Sequence, residues 1–388
     1  VTSPAGDVPK RRLLPVYAAG FVTAFGAHSI AAGLGGYAES QHASLLTLGL
    51  LLAVYDGAEV VLKPVFGALA DRVGPRPVLL GGLVAFAVAS GAFVVAGNPA
   101  LVGLARLGQG AAAAAFSPAA GALVARLTPR TGHGRAFGGY GAWKGLGYTL
   151  GPVLGGVLIT VGGYPLLFGT LGGLALAVAA WAAAAVPVVP PLPRARQTVL
   201  DLARRLTARG FLRPTATLAG ATGAVAVGVG FLPVAGAGYG LGPLATGAVV
   251  SLLAATGALI QPWAGRARDA GRIADGPGMA AGLGLAAAGI ATTTVLPGVA
   301  GLLAAAVAIG VGTGLATPLG FAHLAASTPA ERLGQTMGSA EVGRELGDAG
   351  GPLLVGALAA AVSLDVGLLG LAGLLVVFAA VVAATARR

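Results

Sequence analysis

Apolar residues run in long stretches, and short polar segments interrupt them from one end of the chain to the other. Twelve runs can be read: Leu13 to Gly36, Leu45 to Phe66, Val78 to Gly97, Leu101 to Leu127, Ala136 to Val161, Pro165 to Val186, Leu212 to Val234, Leu244 to Trp263, Met279 to Val295, Val299 to Leu324, Thr336 to Ser363 and Val366 to Ala384. About 20 helical residues cross a ~30 Å hydrocarbon core. The pattern therefore predicts an all-α membrane protein with twelve transmembrane helices. The first run is too long, and followed by too many others, for a cleaved signal peptide, so it is read as helix 1.

Composition agrees: 56% of the 388 residues are hydrophobic and 10% are charged, against roughly 25% charged in an average soluble domain. The net charge of +11 changes the picture only through its placement. Lys and Arg outside the runs fall in the leader (Lys10, Arg11, Arg12), in the loops after runs 2, 4, 6, 8 and 10, and in the tail (Arg387, Arg388). The opposite loops carry Glu39, His42 and Asp365. Such asymmetry orients a multi-pass protein in the cytoplasmic (inner) membrane with both termini in the cytoplasm. The basic balance thus serves the lipid bilayer, and no nucleic-acid partner is expected. The chain has no cysteine, which excludes disulfides, thiolate metal sites and thiol catalysis.

An internal repeat organises the chain. At an offset of 200, "SPAAGALVARLTPRTGHGRAFG" lies beside "TPLGFAHLAASTPAERLGQTMG", and "KGLGYTLGPVLGG" beside "RELGDAGGPLLVG". At an offset of 198, "GALADRVG" overlays "GRARDAG", placing Asp71 on Asp269. The expected organisation is a leader (1–12), a six-helix half (13–186), a cytoplasmic linker (187–210) and a second, pseudo-symmetric half (211–388). Duplicated six-helix halves recur in secondary transporters, with substrate bound near the midplane.

Three motifs then carry a resemblance. Gly67, Leu69, Asp71, Arg72, Gly74 and Arg76 resemble the signature loop between helices 2 and 3 of the major facilitator superfamily, departing from it at Pro75. Arg106, Gln109 and Gly110 resemble the family's helix 4 motif. Gly147, Gly151, Pro152, Gly155 and Gly156 resemble the helix 5 motif typical of its antiporters, and Gly351 and Pro352 repeat part of it on helix 11. The resemblance implies the major facilitator fold, in the branch of twelve-helix drug/proton antiporters. It also implies that Asp71 and Arg72 bind across the cytoplasmic ends of the halves in one state and release in the other. The loop charges serve topology on any reading, and the repeat of Asp71 at Asp269 favours the gate. Local pairing of Asp71 with Arg72 and Arg76 is expected.

Ionisable residues inside apolar runs are costly and mark candidate sites. Asp56, Glu59 and Lys63 share one face of helix 2, and Glu341, Arg344, Glu345 and Asp348 share one face of helix 11. In the family fold these helices are neighbours, so Lys63 and Arg344 are expected to meet Glu59, Glu341 and Glu345 as gate partners, with Asp56 and Asp348 deeper. Two readings stay open: a salt-bridged gate, or proton exchange at a desolvated carboxyl, with Asp56 and Asp348 first, then Glu59 and His28. A lone His among Ala and Gly, as His28 is, is more often a packed polar residue. Arg106 and Lys144 stand apart as substrate-cavity candidates or partners of helix ends. Tyr140, Trp143 and Tyr148 beside Lys144 either stack on substrate or fill space.

The expected function is secondary transport of a small organic or amphipathic molecule by alternating access, as efflux coupled to protons by a monomer. Uptake by symport or uniport is the alternative. No metal or organic cofactor is expected. A membrane-embedded enzyme would need a clustered acidic motif, and Asp269 and Asp275 instead lie among arginines. No Gly-Lys-Ser/Thr phosphate loop is present. A channel fits poorly with paired hinge loops. Topology is directly testable: a single cysteine at position 204 or 388 should react with an impermeant thiol reagent only after the cells are opened, and labelling of intact cells rules out the twelve-span reading.

Overall fold

A computed structural model describes residues 12–40, 45–96, 98–191, 207–241 and 243–386. Most of the leader and of the linker, with the topological markers Arg204 and Arg388, lie outside the described residues. Twelve helices are found among the described ones: α1 (Leu14–Ser40), α2 (Leu45–Val73), α3 (Pro75–Val95), α4 (Pro99–Leu127), α5 and α6 running together through His133–Ala185, α7 (Arg209–Gly238), α8 (Pro243–Asp269), α9 (Asp275–Val295), α10 (Val299–Ser327), α11 (Leu333–Ala361) and α12 (Leu364–Ala386). The α5–α6 break falls at Gly162 and Gly163, the latter at φ 69°, where an L side chain would be strained. Short 3-10 turns, Arg130–Gly132 and Ala330–Arg332, precede α5 and α11.

Helix ends follow local chemistry. Asn98 caps α4 by accepting from the Leu101 N–H at 3.0 Å, with Pro99 in the first helical position. Gly74 separates α2 from α3 at φ 95°, and Pro75 starts α3. A left-handed residue is the reason the loop needs glycine at that position.

The chain divides into two compact units. The first comprises Val1–Arg130, Trp143–Arg194 and Thr328–Val342; the second comprises Thr131–Ala142, Ala195–Ser327 and Gly343–Arg388. The beginning of α11 therefore belongs to the first unit, and the beginning of α5 to the second.

In the first unit α4 packs against α1, α2 and α3, and every residue from Ala112 to Ala125 is buried. A helix that is apolar all round becomes a core helix. Phe86 meets Phe116 at 5.8 Å between ring centroids, and Phe93 stacks on Phe168 at 4.2 Å, fastening α3 to α4 and α6. In the second unit α10 takes the place of α4, packed by α7, α8 and α9. Its core gathers Leu253, Leu283, Ile290, Ile309 and Leu375.

Eight stretches among the described residues are long and apolar enough to cross a membrane. Exposed Val84, Val88, Leu259, Val376 and Val377 leave continuous greasy faces, which suit lipid contact. α2 and α11 are the helices that carry charged stripes.

With lipid outside, close backbone approach replaces hydrophobic burial as the force between helices. Gly282 of α9 and Gly312 of α10 illustrate it: a methyl on Gly312 would run into the Gly282 carbonyl, whereas one on Gly284 meets nothing within 4 Å. Gly312→Ala is therefore expected to lower the thermal midpoint in detergent, by the equivalent of about 1–3 kcal/mol of overpacking. Gly284→Ala is the control and should leave the midpoint unchanged or raise it.

Candidate gate and coupling site

Two seams, one in each unit, bring together the sequence motifs. In the first unit, Asp71 at the end of α2 accepts hydrogen bonds from the Gly334 and Gln335 N–H groups, both at 2.8 Å. These are among the first amides of α11, which have no acceptor inside their own helix. A carboxylate from α2 thus acts as the cap of α11 and meets the positive end of its dipole. Gly67, one turn back, faces Gly334 so closely that a methyl on either would strike the other's carbonyl. Burial pushes the Asp71 carboxyl above its usual range; the two amides and Arg126 pull it down, and Glu331 adds to the rise.

In the second unit the same device recurs in the same register. Asp269 at the end of α8 accepts from the Gly134 N–H at 2.9 Å and the Arg135 N–H at 2.7 Å. Gly265 and Gly134 replace Gly67 and Gly334, again too close for side chains. The 198- and 200-residue offsets of the repeat thus describe one physical contact made twice.

The surroundings of the two carboxylates differ. Beside Asp71 stands Arg126 from the last turn of α4, 3.7 Å away. Arg126 also donates to the Ala330 carbonyl at 2.9 Å and the Pro190 carbonyl at 3.3 Å, joining α4 to the turn before α11 and to the start of the linker. Beside Asp269 stands Arg268, at 3.4 Å, which grips Asp275 through Nε at 2.7 Å and Nη2 at 3.2 Å. The His323 Nδ1 lies 3.1 Å from the same Asp275 carboxylate. Arg126 was not among the expected residues, because a basic last turn reads as topology alone.

The expected pairing of Asp71 with Arg72 and Arg76 is not what the structure holds. Arg72 is exposed, one residue further round the helix, and Arg76, beyond the Gly74 break, donates to the Ala183 carbonyl at the end of α6. Asp71 alone of the loop's charges reaches α11.

Further along the first seam lies a buried ionic cluster. Lys63 Nζ donates to Glu59 at 2.8 Å, one turn away on α2. It also stands 3.8 Å from Glu341 of α11. Lys144 of α5 approaches the same Glu341 carboxylate at 4.0 Å and donates to the Ser117 hydroxyl of α4 at 3.3 Å. These side chains are deeply enclosed: Lys63 and Glu341 are each 2% exposed, Glu59 7% and Lys144 8%. Gly338 of α11 rests on the Lys63 carbonyl, which brings Glu341 down onto the lysine.

Several expectations are corrected here. Lys144 does not stand apart; it is part of the cluster. Within the second unit, Arg344 Nε donates to Thr222 Oγ1 of α7 at 3.3 Å and its guanidinium lies 5.9 Å from the Phe321 ring. α11 belongs to the first unit only as far as Val342, and Arg344, Glu345 and Asp348 belong to the second. Asp56 and Asp348 are exposed, and the buried acids are Glu59 and Glu341. Asp56 lies two turns before Lys63 on α2.

Arg106 does stand apart, buried on α4. Its guanidinium lies 4.2 Å from the Tyr55 ring, its Nη1 is 3.4 Å from Gln109 Oε1, and Gln109 donates to Ser90 at 3.0 Å. His28 on α1 has Nδ1 3.2 Å from the Ala24 carbonyl and its ring edge-on to Tyr148 at 4.5 Å. Of the three aromatics beside Lys144, Tyr148 sets its ring against His28. The glycine stripe behaves as its spacing implies. Gly147, Gly151 and Gly155 lie against α1, and Gly347 and Gly351 against α7. Gly156 faces open space, and the Pro152 and Pro352 positions stay within their helices.

Comparison with known proteins follows from this geometry. The Major Facilitator Superfamily profile matches residues 16–296 of the 388. The chain is 32% identical over 114 residues to the quinolone resistance protein NorA of Staphylococcus aureus, a stretch covering 29% of either protein. It is 38% identical over 112 residues to the class C tetracycline resistance protein of Escherichia coli, covering 28% of either. The chain thus aligns with under a third of the length of these relatives. Among solved structures, the human organic anion transporter MFSD10 superposes with a TM-score of 0.81 at 17% identity, over 98% of this chain and 100% of that one. The Escherichia coli fucose:proton symporter FucP gives 0.79 at 14% identity, over 96% and 98%. These likenesses show the fold, and the profile match shows the family. The chain belongs to the Major Facilitator Superfamily of membrane transporters.

Proposed function

We propose that this protein exports small organic, amphipathic molecules across the cytoplasmic membrane in exchange for protons, by alternating access. The carrying observation is the pair of carboxylate caps, Asp71 on α11 and Asp269 on α5. A helix end docked through one carboxylate and two amides is held firmly and can be released as a unit, because water then solvates both sides. The charge asymmetry of the loops supports a cytoplasmic position for these caps. The names of the aligned resistance proteins support an exported drug-like substrate.

Protons couple through the acids of α2 and α11 that lie outside the buried cluster. An intramembrane acid is tolerated where it faces water or protein, not lipid. Asp56 and Asp348, exposed on their helices, meet the need for proton access. Glu59 is held by Lys63 at 2.8 Å, which suits it to the gate.

Two experiments test this reading. Asp71→Asn and Asp269→Asn each exchange charged acceptors for weaker ones, at about 1.5–3 kcal/mol per charged hydrogen bond. Transport should fall at least tenfold, roughly, while the folded yield changes little. The sequence alone implies a milder effect at Asp269; the identical capping register makes the two equivalent. Parental transport rates in both variants overturn the gate. In liposomes, Asp56→Asn should abolish accumulation driven by a pH gradient while leaving downhill exchange measurable. Gradient-driven accumulation that survives in both Asp56→Asn and Asp348→Asn removes the proton site, and inward flux with protons turns the assignment to symport.

A further inference from the structure

The two caps differ in how their surroundings respond to pH. The charges next to Asp71 are Arg126 and Glu331, and Arg and Glu side chains change charge far from neutrality. Histidine is the side chain that changes charge between about pH 5 and 8. A short chain of contacts joins one to the second cap: His323 of α10, with Nδ1 3.1 Å from the Asp275 carboxylate and a side chain 36% exposed, open to water. The repeat does not supply this pair to the first half, where His323 falls on the buried Leu123 and Asp275 on Pro75.

The contacts lead from the imidazole to the cap inside the second unit. A carboxylate only accepts, so the Nδ1 that faces Asp275 carries a hydrogen. Arg268 grips the same carboxylate through Nε at 2.7 Å and Nη2 at 3.2 Å. Its Nη1 lies 3.4 Å from Asp269, the acceptor of the Gly134 and Arg135 amides. The other elements packed on α10 bring further charge to this end: Arg213 on α7 and Arg266 on α8, with Arg272 in the turn before α9. Among the described residues, the ionic contact of the imidazole is with Asp275.

What docks on Asp269 is the positive end of the α5 dipole. A proton taken up by His323 adds one positive charge to the side that receives this end, and the increment opposes docking whatever the remaining charges there sum to. An imidazolium is also the stronger partner for Asp275. Arg268 is then drawn less to Asp275, and it competes with the amides for Asp269. We propose that His323 is a proton-operated release for the second cap, and that its protonation loosens the start of α5 from the end of α8. The release concerns the docked contact itself and does not rest on export as the direction of transport.

The chain lacks cysteine, so spin labels can be placed at will. Labels on Thr131→Cys and Ala270→Cys, both exposed positions, report the separation of the start of α5 from the end of α8 by double electron–electron resonance on the purified full chain in detergent. Between about pH 8 and about pH 5.5 the imidazole gains its charge, and the long-distance fraction should grow by about twofold or more. His323→Gln should remove most of that growth. A fraction that stays constant in the labelled parent, or growth that largely survives in His323→Gln, overturns the proposal. In the second case His133→Gln is where the growth should be lost, because His133, its ring against Phe137, opens α5 itself. Should His323→Gln not fold, His323→Leu, which carries the residue that the first half has in this register, decides by the same criterion. Flux plays no part in the measurement, so failure of the transport reading remains distinguishable.

Discussion

A carboxylate at the end of one helix satisfying the first amides of another is the contact on which the gate end of each unit depends. The first amides of a helix have no intrahelical acceptor, and leaving them buried without one costs free energy. Asp71 and Asp269 remove that cost for α11 and α5. Glycine is required on both sides of each seam, because the carboxylate reaches the amides only when the backbones nearly touch. This explains why the loop motif couples an acid with a glycine one turn before it. The acid supplies the acceptor and the glycine supplies the approach.

The two seams differ in how they continue into the membrane. Beyond Asp71 the α2–α11 contact runs into Lys63, Glu341 and Lys144, whereas beyond Asp269 the α8–α5 contact runs into Gln261 and Gly141. A buried ion cluster is weak evidence for stability, since desolvation offsets much of the attraction. The capping ends are likewise dressed differently: Arg126 bridges three segments around Asp71, while Arg268 is shared between Asp269 and Asp275.

The spacing of charges along a helix tells which residues share a face, and it did so for Asp56, Glu59 and Lys63. It does not tell how far along that face a neighbour extends. Within the first unit α11 reaches Glu341, whereas Arg344 meets Thr222 and Phe321 in the second unit and Asp56 is exposed. Lys144 was misplaced for the complementary reason. Its partner comes from almost two hundred residues away, and no local pattern in α5 announces it.

What the sequence alone determined is the part governed by solvent and by local chain chemistry. Lipid demands long apolar helices, which made the twelve spans legible. Duplication made the repeat legible, and with it the equivalence of Asp71 and Asp269. Gly74 and the glycine stripes followed from backbone geometry and close packing. What only the tertiary structure decided is partner choice: Asp71 with α11 amides in place of its own arginines, Arg126 as a hub, Lys63 and Lys144 sharing Glu341. Charge–charge and amide–carboxylate contacts act over a few ångströms in space, and distance in space is what the linear order of residues leaves open.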